Sequence, residues 1–427
     1  MSAVHPSPIL TGCDRLLRAP KRVADRTTAL LAHGAAVTAD GRPIHLALQQ
    51  AGAAPHVLFA PEHGYYGVEQ DMIPGREQRD PWTDIPIRSL YGEDEGSLHP
   101  DPSAFDDIDL LLIDLQDVGS RYYTYVATAV WATEVALAAG VEVWVLDRPN
   151  PLGGEHIEGN RLPTAFNSFV GAFPIPVRHG LTIGELFRFE AARRGWDRAG
   201  LTVWAMAGWR RAMTWSDLER PWIAPSPNMP TYATAVLYPG GCLLEATTAS
   251  EGRGTTRPFQ LIGAPWIDDP PALAADVRRA LDRSGGEDVV ALPTYFRPQF
   301  QKHAGLRCGG VELVAPPRVA RAAGLAAYRF GVHLLACLRD ASQRAAAVDG
   351  SGDVDWGWRR EPYEFVTDRP AIDLLTGDPR VRAQLDAGVA GNDIVAAVED
   401  DWRRDERAFR DAREPHLLYP STRHEIR

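Results

Sequence analysis

The sequence predicts an α/β protein: a Rossmann-like, mostly parallel sheet with helices on both faces, followed by a smaller C-terminal α+β domain. The segment 108–154 carries the first part of this prediction. Its two apolar runs, 110–115 and 141–146, are short and bounded by polar turns, as is typical of strands buried on both faces of a parallel sheet. Between them, apolar residues recur at helical spacing over 122–139, and Gly140 favours a helix end.

The first hundred residues are predicted to open this sheet. A helix beginning at Asp14 and another over 44–50 precede an apolar run at 56–60, which indicates a strand. That run leads directly into Pro61-Glu62-His63-Gly64, so an acid and an imidazole follow a strand end. The stretch 70–102 is rich in Pro, Gly and acidic residues and is predicted to be a long excursion from the sheet.

Further elements follow the strand–helix–strand unit. Thr182 and Glu185 have the spacing of a capping box, which predicts a helix over 182–193. Apolar runs at 201–206 and 233–238 indicate two more strands.

The pattern of helical and strand segments changes near residue 266. This change predicts a Rossmann-like domain over 1–265 and an auxiliary domain over 266–427. The second part mixes helical and strand patterns, as α+β domains do. Helices are predicted over 271–283, 324–339 and 393–412. Short strands are predicted over 289–292 and 310–314.

Length and composition agree with a globular protein of two domains. The 427 residues exceed the size of one ordinary hydrophobic core. With 45% hydrophobic and 24% charged residues, the chain is unlike a disordered protein. Its net charge of −11 disfavours a nucleic-acid partner, because phosphate backbones attract basic surfaces.

The sequence shows neither a targeting signal nor a membrane anchor. The N-terminus lacks a basic segment followed by an apolar one, and no apolar run is long enough to cross a bilayer. As written, the chain is therefore expected to be cytoplasmic and to have no membrane partner; it would be periplasmic or secreted if a signal has been removed. A homodimer is compatible with these features.

Polar residues collect where the predicted strands end, and ligands of open α/β sheets bind beyond the carboxyl ends of the strands. Paired carboxylates in such a crevice suit glycoside hydrolysis, in which one gives a proton to the leaving oxygen and the other assists at the sugar carbon. Nearby tyrosines, including Tyr65, Tyr66 and Tyr125, would stack on sugar faces. The polar strand-end residues are Glu62, His63, Asp114, Asp117, Arg121, Asp147, Arg148, Asn150, Glu158 and His179.

The sequence lacks the motifs of several other kinds of chemistry, so no metal and no cofactor is expected. His63 and His179 have no histidine or cysteine neighbour at metal-ligand spacing, and the four cysteines are scattered, as buried thiols are. The glycine-rich loop 249–259 lacks the Walker spacing and lysine, and no Gly-x-Gly-x-x-Gly follows an early strand. A Gly-x-Ser-x-Gly elbow for a serine nucleophile is absent too.

Seven motifs occur in order along most of the chain. They are Phe-Ala-Pro-Glu-His-Gly (59–64), Asp-Leu-Gln-Asp-Val-Gly-Ser-Arg-Tyr-Tyr-Thr-Tyr (114–125), Leu-Asp-Arg-Pro-Asn-Pro-Leu-Gly-Gly (146–154), Ile-Glu-Gly-Asn (157–160), Pro-Ile-Pro-Val-Arg-His-Gly-Leu-Thr-Ile-Gly-Glu-Leu (174–186), Pro-Ser-Pro-Asn-Met-Pro (225–230) and Ser-Glu-Gly-Arg-Gly-Thr-Thr (250–256). Together they resemble the exo-β-N-acetylmuramidase family, glycoside hydrolase family 171, formerly a domain of unknown function.

The resemblance implies a glycosidase of the hexosaminidase type. Such an enzyme releases terminal β-linked N-acetylmuramic acid from the non-reducing ends of peptidoglycan fragments, without metal or cofactor. The family's catalytic glutamate corresponds to Glu62. The second carboxylate stays open between Asp117, Asp147 and Glu158, with Asp117 and Glu158 taken as the catalytic candidates, or the substrate's 2-acetamido group could itself be the nucleophile.

The resemblance also suggests which residues bind the substrate. The lactyl carboxylate of muramic acid needs a cation, for which Arg121, Arg148, Arg178 and Arg253 are candidates. One departure is Tyr65-Tyr66-Gly67, where the family often has an apolar–Arg–Gly run, and a different preference could follow. The full set of expected binding residues is His63, Arg121, Tyr122, Tyr123, Asp147, Arg148, Asn150, His179, Asn228, Glu251 and Arg253.

Two rival functions stay open. A muropeptide- or sugar-binding protein without activity would keep the aromatic residues and arginines but release no product. An NAD-dependent oxidoreductase on the same topology is disfavoured, because its glycine fingerprint is missing.

Overall fold

The computed structural model describes residues 9–70, 78–92, 94–196, 200–320, 324–349 and 355–421. Seven strands form the larger sheet: β1 (Thr28–Ala32), β2 (Val57–Ala60), β3 (Gln78–Arg79), β4 (Pro86–Ser89), β5 (Leu110–Asp114), β6 (Glu142–Leu146) and β7 (Leu201–Trp204). Their order across the sheet is β3-β4-β2-β1-β5-β6-β7. Only the β3–β4 pair is antiparallel among these neighbours.

Helices cover both faces of this sheet and form most of the C-terminal part. They are α1 (Gly12–Leu16), α2 (Ile44–Gln50), α3 (Tyr125–Ala138), α4 (Ile183–Arg194), α5 (Tyr232–Gly241), α6 (Pro270–Asp282), α7 (Ala327–Asp349), α8 (Ala371–Thr376), α9 (Pro379–Asp386) and α10 (Gly391–Arg413). The α/β class and the mostly parallel sheet are confirmed.

The central strands are buried on both faces, as their apolar runs predict. Along β5, Leu110 and Leu112 pack into one hydrophobic core, whereas Leu111 and Ile113 pack into the core on the other side. Successive side chains of a strand point to opposite faces, so a fully buried strand must be apolar at every position. This explains why the run lacks the alternation of a half-exposed strand.

The helix α3 begins later than the sequence pattern predicts. Its first residue is Tyr125, and the segment 122–124 forms the turn before it. Tyr122 and Tyr123 are therefore not part of the helical stripe. The capping box predicted for Thr182 and Glu185 is present at the start of α4.

The strand predicted over 233–238 is wrong, because this segment lies in helix α5. Its apolar run is too short to tell a strand from a buried helix by period alone. Packing explains the outcome: α5 lies so close to α7 that a Cβ added to Gly240 would be 1.9 Å from the Ala327 carbonyl oxygen. The side chain of Thr231 caps the first turn by accepting the N–H of Thr234 at 3.2 Å.

The C-terminal part contains a second, antiparallel sheet of β8 (Leu261–Ala264), β9 (Val290–Phe296) and β10 (Cys308–Val314), in the order β8-β10-β9. Helix α6 packs on β9 and β10 of this sheet, and α7 packs on α6. Strand β8 precedes the predicted boundary at residue 265, so this sheet already begins on the N-terminal side of that boundary. One hydrophobic core runs from β1 to α10 and so joins the two parts.

Across the described ranges, none of the helices combines the length and apolar character needed to span a bilayer.

Candidate active site

A cavity lies beyond the carboxyl ends of β1, β2 and β5, and we call it the Glu62 cavity. Its volume is about 40 Å³, which holds a few water molecules. Ligand pockets usually measure at least roughly 300 Å³, so the cavity is small for a sugar-binding site in this conformation. The lining residues are Glu62, His63, Tyr122, Tyr123, Thr124, Val170, Ser226, Asn228, Met229, Tyr238, Glu245, Arg253, Phe259 and Glu364.

Glu62 follows β2 after a single residue, Pro61, and it lines this space. The residue is only 5% exposed. Thr124 Oγ1, in the turn before α3, donates a hydrogen bond to Glu62 Oε2 at 2.7 Å. The other oxygen, Oε1, accepts no hydrogen bond from any residue in the described part of the chain. One oxygen is thus fixed by the protein, and the other is available to a ligand.

Backbone strain is concentrated around the Glu62 cavity. Within the described ranges, eight non-glycine residues have positive φ, and three of them, His63 (69°), Phe259 (61°) and Glu364 (47°), line it. Such conformations cost energy for residues with a Cβ and cluster where function requires them. His63 is held in its turn by a hydrogen bond between its Nδ1 and the Glu69 carbonyl oxygen at 3.1 Å.

Arg253 is the guanidinium that the described residues bring to this cavity. Its Nη2 donates to Glu245 Oε1 at 2.7 Å, and its Nε lies 3.5 Å from Glu251 Oε1. The guanidinium carbon is 5.4 Å from the centre of the Phe259 ring. Glu251 is also paired with Lys302, whose Nζ is 2.8 Å from its Oε2. Arg253 is therefore positioned by acidic and aromatic partners at the cavity wall.

The motif 225–230 supplies Ser226 and Asn228 to the wall, and two contacts hold it to the sheet. Tyr125 Oη donates to the Pro225 carbonyl oxygen at 3.0 Å. His33 Nδ1 lies 2.9 Å from the same oxygen, and its Nε2 accepts the Gln116 N–H at 2.9 Å. These contacts require the neutral ring with its proton on Nδ1. Burial lowers the pKa of His33 to about 3, in agreement with that form.

Tyr122 and Tyr123, which the sequence proposes as binding residues, both line the cavity. Burial raises the pKa of both phenols above their ordinary value, so both stay neutral and can donate hydrogen bonds. The Tyr123 and Tyr125 ring centres are 4.7 Å apart. Tyr65 and Tyr66 lie elsewhere: the Tyr65 hydroxyl is 3.0 Å from His45 Nδ1, and Tyr66 donates to Asp80.

Other predicted residues form a buried group behind the cavity, which we call the strand-end network: Asp114, Asp147, Arg148, Asn150, Glu158 and Arg121. Arg148 makes two hydrogen bonds to Asp114, from Nε to Oδ1 at 2.6 Å and from Nη2 to Oδ2 at 2.8 Å. Burial raises the pKa of Asp114, and Arg148 opposes that shift. Both side chains are thus used within the protein.

Asp147 fastens α4 to the sheet. It accepts hydrogen bonds from Thr182 Oγ1 and from the Gly184 N–H, each at 2.8 Å, and from the Tyr419 hydroxyl. Burial raises its pKa to about 7, and these donors act against the rise. The side-chain amide of Asn150 donates to the Leu181 carbonyl oxygen at 2.8 Å.

Glu158 and Arg121 connect the two parts of the chain. Glu158 Oε1 accepts the Arg329 N–H in the first turn of α7 at 2.9 Å. Arg121 donates only to carbonyl oxygens, those of Asn160, Ile175 and Leu375, at 2.8–2.9 Å. Neither residue lines the Glu62 cavity. The geometry therefore favours structural contacts for the predicted catalytic residue Glu158 and for Arg121.

Asp117 and His179 lie between the two groups. Their side chains approach to 3.4 Å, between Asp117 Oδ2 and His179 Nε2, and Oδ2 also accepts the Gly119 N–H at 2.9 Å. The Asp117 charge contributes to the raised pKa of Tyr123, and Asp117 does not line the Glu62 cavity. Arg178, a candidate for the lactyl group, donates to the Leu152 and Ala320 carbonyl oxygens.

The structure adds eight wall residues that sequence reasoning missed. Thr124 and Ser226 lie inside the motifs named above, so the motifs already contained a signal for them. Glu245 and Glu364 lie outside every motif and come from distant parts of the chain. The eight are Thr124, Val170, Ser226, Met229, Tyr238, Glu245, Phe259 and Glu364.

No group of three or more His, Cys, Asp or Glu side chains in the described ranges is arranged to hold a metal ion. The Glu62 cavity instead offers carboxylates, tyrosine hydroxyls, an amide and a guanidinium. These groups can bind a polar, uncharged ring that carries one anionic substituent.

Comparisons with known proteins cover nearly the whole chain. The family described as "Exo-beta-N-acetylmuramidase NamZ, N-terminal" matches residues 28–233, and "Exo-beta-N-acetylmuramidase NamZ, C-terminal" matches residues 236–419. A relative from Bacillus subtilis (strain 168), described as "Peptidoglycan beta-N-acetylmuramidase NamZ", is 36% identical over 362 residues, which is 85% of this chain and 79% of the relative.

Two solved structures from Bacteroides fragilis NCTC 9343 share the fold, and both are described as DUF1343 family proteins. The first, BF0371, has a TM-score of 0.79 and 27% identity, and the alignment covers 96% of this chain and 99% of that one. The second, BF0379, has a TM-score of 0.70 and 26% identity, with 97% and 100% covered.

Proposed function

The chain belongs to the NamZ family of exo-β-N-acetylmuramidases, and from that premise we propose how the Glu62 cavity carries out the reaction. The protein is a glycosidase that releases terminal β-linked N-acetylmuramic acid from the non-reducing ends of peptidoglycan fragments. We propose that the terminal sugar binds in the Glu62 cavity after its wall has moved, with Glu62 as the general acid.

The geometry of Glu62 is the observation that supports this assignment. Thr124 holds Oε2, while Oε1 faces the cavity without a protein partner in the described ranges. A general acid must reach the leaving oxygen with one oxygen while its orientation is kept by neighbouring groups. In the proposed reaction Glu62 gives its proton to the glycosidic oxygen as the bond from C1 to that oxygen breaks.

Arg253 is proposed to bind the lactyl carboxylate that distinguishes N-acetylmuramic acid from N-acetylglucosamine. A planar guanidinium suits a carboxylate because it can donate two parallel hydrogen bonds. The other arginine candidates, Arg121, Arg148 and Arg178, donate to protein acceptors away from the cavity. Glu245 and Glu251 hold Arg253 in place, and Phe259 packs against its guanidinium.

A substrate panel tests the function and the role of Arg253 together. We expect the purified chain to cleave 4-nitrophenyl N-acetyl-β-muramide much faster than the matching glucosaminide. Arg253→Gln should lower kcat/KM for the muramide by about 10- to 100-fold, as expected for the loss of a hydrogen-bonded ion pair. The ratio of muramide to glucosaminide cleavage should fall by the same factor.

Arg257→Gln is the matched control, since Arg257 lies in the same loop, is half exposed and pairs with Glu312 outside the cavity. It should leave the ratio unchanged. Equal cleavage of the two substrates by the wild-type chain would contradict the function. An unchanged ratio in Arg253→Gln would remove Arg253 from lactyl recognition.

A cytoplasmic location and a homodimer stay predictions. Peptidoglycan-derived saccharides are the proposed partners. Light scattering of the purified chain, with and without muropeptide, measures the oligomeric state directly.

A further inference from the structure

The C-terminal part of the chain contributes a carboxylate to the Glu62 cavity, that of Glu364. The residue is 8% exposed, and its side chain lines the cavity together with Glu62 and Glu245. None of the sequence motifs includes it. Its role therefore has to be judged from its position and from the backbone that carries it.

Glu364 sits in a two-residue turn of unusual composition. Tyr363 and Val366 exchange backbone hydrogen bonds of 3.1 and 2.9 Å, and the residues between them, Glu364 and Phe365, have φ of 47° and 68°. Turns with two positive φ angles strongly favour Asn and Gly, because a larger side chain is strained there. A glutamate in this position indicates that its side chain is needed, since strain of this kind persists at functional sites.

Both neighbours of Glu364 anchor the turn. The Phe365 ring packs 5.9 Å from that of Tyr91, which stacks on Phe169 at 5.6 Å. On the other side, the Tyr363 hydroxyl donates to Glu245 Oε2 at 2.7 Å. The turn is thus fixed against the N-terminal part of the chain, with Glu364 directed at the cavity.

Three other carboxylates, those of Glu245, Glu158 and Asp117, have to be weighed for the same role. Glu245 accepts hydrogen bonds from Arg253 and Tyr363, one on each oxygen. Glu158 contacts the first turn of α7, outside the cavity. Asp117 accepts the Gly119 N–H and does not line the cavity. Among the described residues, Glu245 and Glu364 are therefore the carboxylates that share the cavity wall with Glu62, and Glu245 positions Arg253, the proposed ligand of the lactyl group.

We propose that Glu364 is the second catalytic carboxylate, an inference that rests on the proposed function of the Glu62 cavity. As the bond between C1 and the leaving oxygen breaks, its electron pair goes to that oxygen, which takes the proton of Glu62. Glu364 accepts the proton of the group that attacks C1. The attacking group is either a water molecule or the substrate's 2-acetamido group. If the acetamido group attacks, the proton that Glu364 accepts comes from its N–H. NMR of the first-formed sugar separates the two, because direct attack by water inverts the anomer and acetamido attack retains it.

Substitution of Glu364 tests this assignment through measurements that would not change if the residue had only a structural role. Asn tolerates positive φ, so Glu364→Asn keeps the turn and removes the acid. We expect kcat for the muramide to fall by at least about 100-fold, with an unfolding temperature equal to or above that of the wild type. In Glu364→Ala, added formate should restore part of the lost rate, because it replaces the missing carboxylate.

Glu361→Gln is the control, since Glu361 is exposed, lies three residues earlier and does not line the cavity. It should retain wild-type kcat. If Glu364→Asn keeps kcat within about threefold of wild type while the wild type is active, this inference is overturned and the proposed function stands. A wild-type chain that releases no N-acetylmuramic acid would overturn both. If Glu364→Asn does not fold, Glu364→Gln is measured in its place with the same expected loss.

Discussion

Two groups of buried polar residues lie beyond the carboxyl ends of the strands, and they differ in what they face. In the strand-end network, Asp114, Asp147 and Glu158 each accept hydrogen bonds from protein groups. In the Glu62 cavity, Glu62 keeps one oxygen directed at the open space. The difference teaches that position at a strand end is not enough to identify a catalytic acid, because the same position also serves to fasten helices and domains.

The two groups should therefore respond differently to substitution. A buried charge that loses its only partner is costly to the fold, whereas a cavity residue that contacts mainly the substrate contributes little to folding. We expect changes in the strand-end network to lower the free energy of unfolding at nearly constant kcat. Changes at the Glu62 cavity should lower kcat at nearly constant stability.

The largest effect on stability is expected for Arg148→Met. The substitution leaves the Asp114 carboxylate buried without its two hydrogen bonds, and it should lower the free energy of unfolding by about 3–5 kcal/mol. Urea unfolding measures this. The control Arg318→Met breaks an exposed pair with Asp288 and should lower the free energy of unfolding far less, because exposed ion pairs contribute little to stability. Equal losses in the two variants would contradict the distinction.

A pH effect should follow from His33, which ties the 225–230 motif to the sheet. Its folded-state pKa is about 3 because of burial, against roughly 6.5 in the unfolded chain. Between these values the unfolded state binds the extra proton, so stability is lost as the pH falls below 6.5. The loss from His33 between pH 7 and pH 5 should be about 2 kcal/mol.

Urea unfolding of the wild type and of His33→Gln at both pH values measures this contribution. The variant should be less stable at pH 7, since it disturbs the contacts to Pro225 and Gln116, but its stability should fall less on acidification. Parallel pH profiles for the two proteins would mean that His33 is not responsible for the acid sensitivity.

A smaller effect, now on activity, is expected for Thr124→Val. The valine has nearly the same shape but cannot donate to Glu62 Oε2, so Glu62 loses the bond that orients it. We expect kcat to fall about tenfold, which corresponds to about 1.4 kcal/mol, with little change in unfolding. Thr133→Val, in helix α3, removes only a bond to the Ala129 carbonyl oxygen and should keep wild-type kcat.

The smallest effect is expected for Glu158→Gln. This variant distinguishes the strand-end network from the Glu62 cavity most sharply. The amide oxygen can still accept the Arg329 N–H. Burial raises the pKa of Glu158 and so opposes its charge, whereas the start of α7 favours it, and loss of the charge should change the free energy of unfolding by less than about 1 kcal/mol. Release of N-acetylmuramic acid should stay within about threefold of wild type. A loss of 100-fold or more would instead restore Glu158 to the catalytic role that the sequence suggests.

Much of the fold could be predicted because its signals are local. The runs of β5 and β6 are apolar at almost every position, and the capping box of α4 is a short pattern. The segment of α5 was misassigned because its helical state depends on close packing against α7, which no local pattern encodes. The predicted helix includes Tyr122 and Tyr123 because the apolar spacing of α3 continues into the turn before it.

The site was predictable where one motif carries it and not where distant segments meet. Six of the proposed residues line the cavity, and all of them lie in motifs of the family that the chain resembles: Glu62, His63, Tyr122, Tyr123, Asn228 and Arg253. Asp147 and Arg148 lie in these motifs too, yet both bind other residues of the protein. Asp147 accepts a hydrogen bond from Thr182, and Arg148 donates to Asp114. Glu245 and Glu364 reach the cavity only through the tertiary fold.

The central claim is that Glu62 acts on the substrate rather than on the fold. Glu62→Gln keeps the acceptor for Thr124 but cannot give a proton to the leaving oxygen, so kcat should fall by about 10³-fold while the free energy of unfolding changes by less than about 1 kcal/mol. Turnover of the muramide and urea unfolding should be measured on the same preparation. A variant that keeps wild-type kcat, or loses it only together with stability, would place Glu62 among the structural residues and contradict the account.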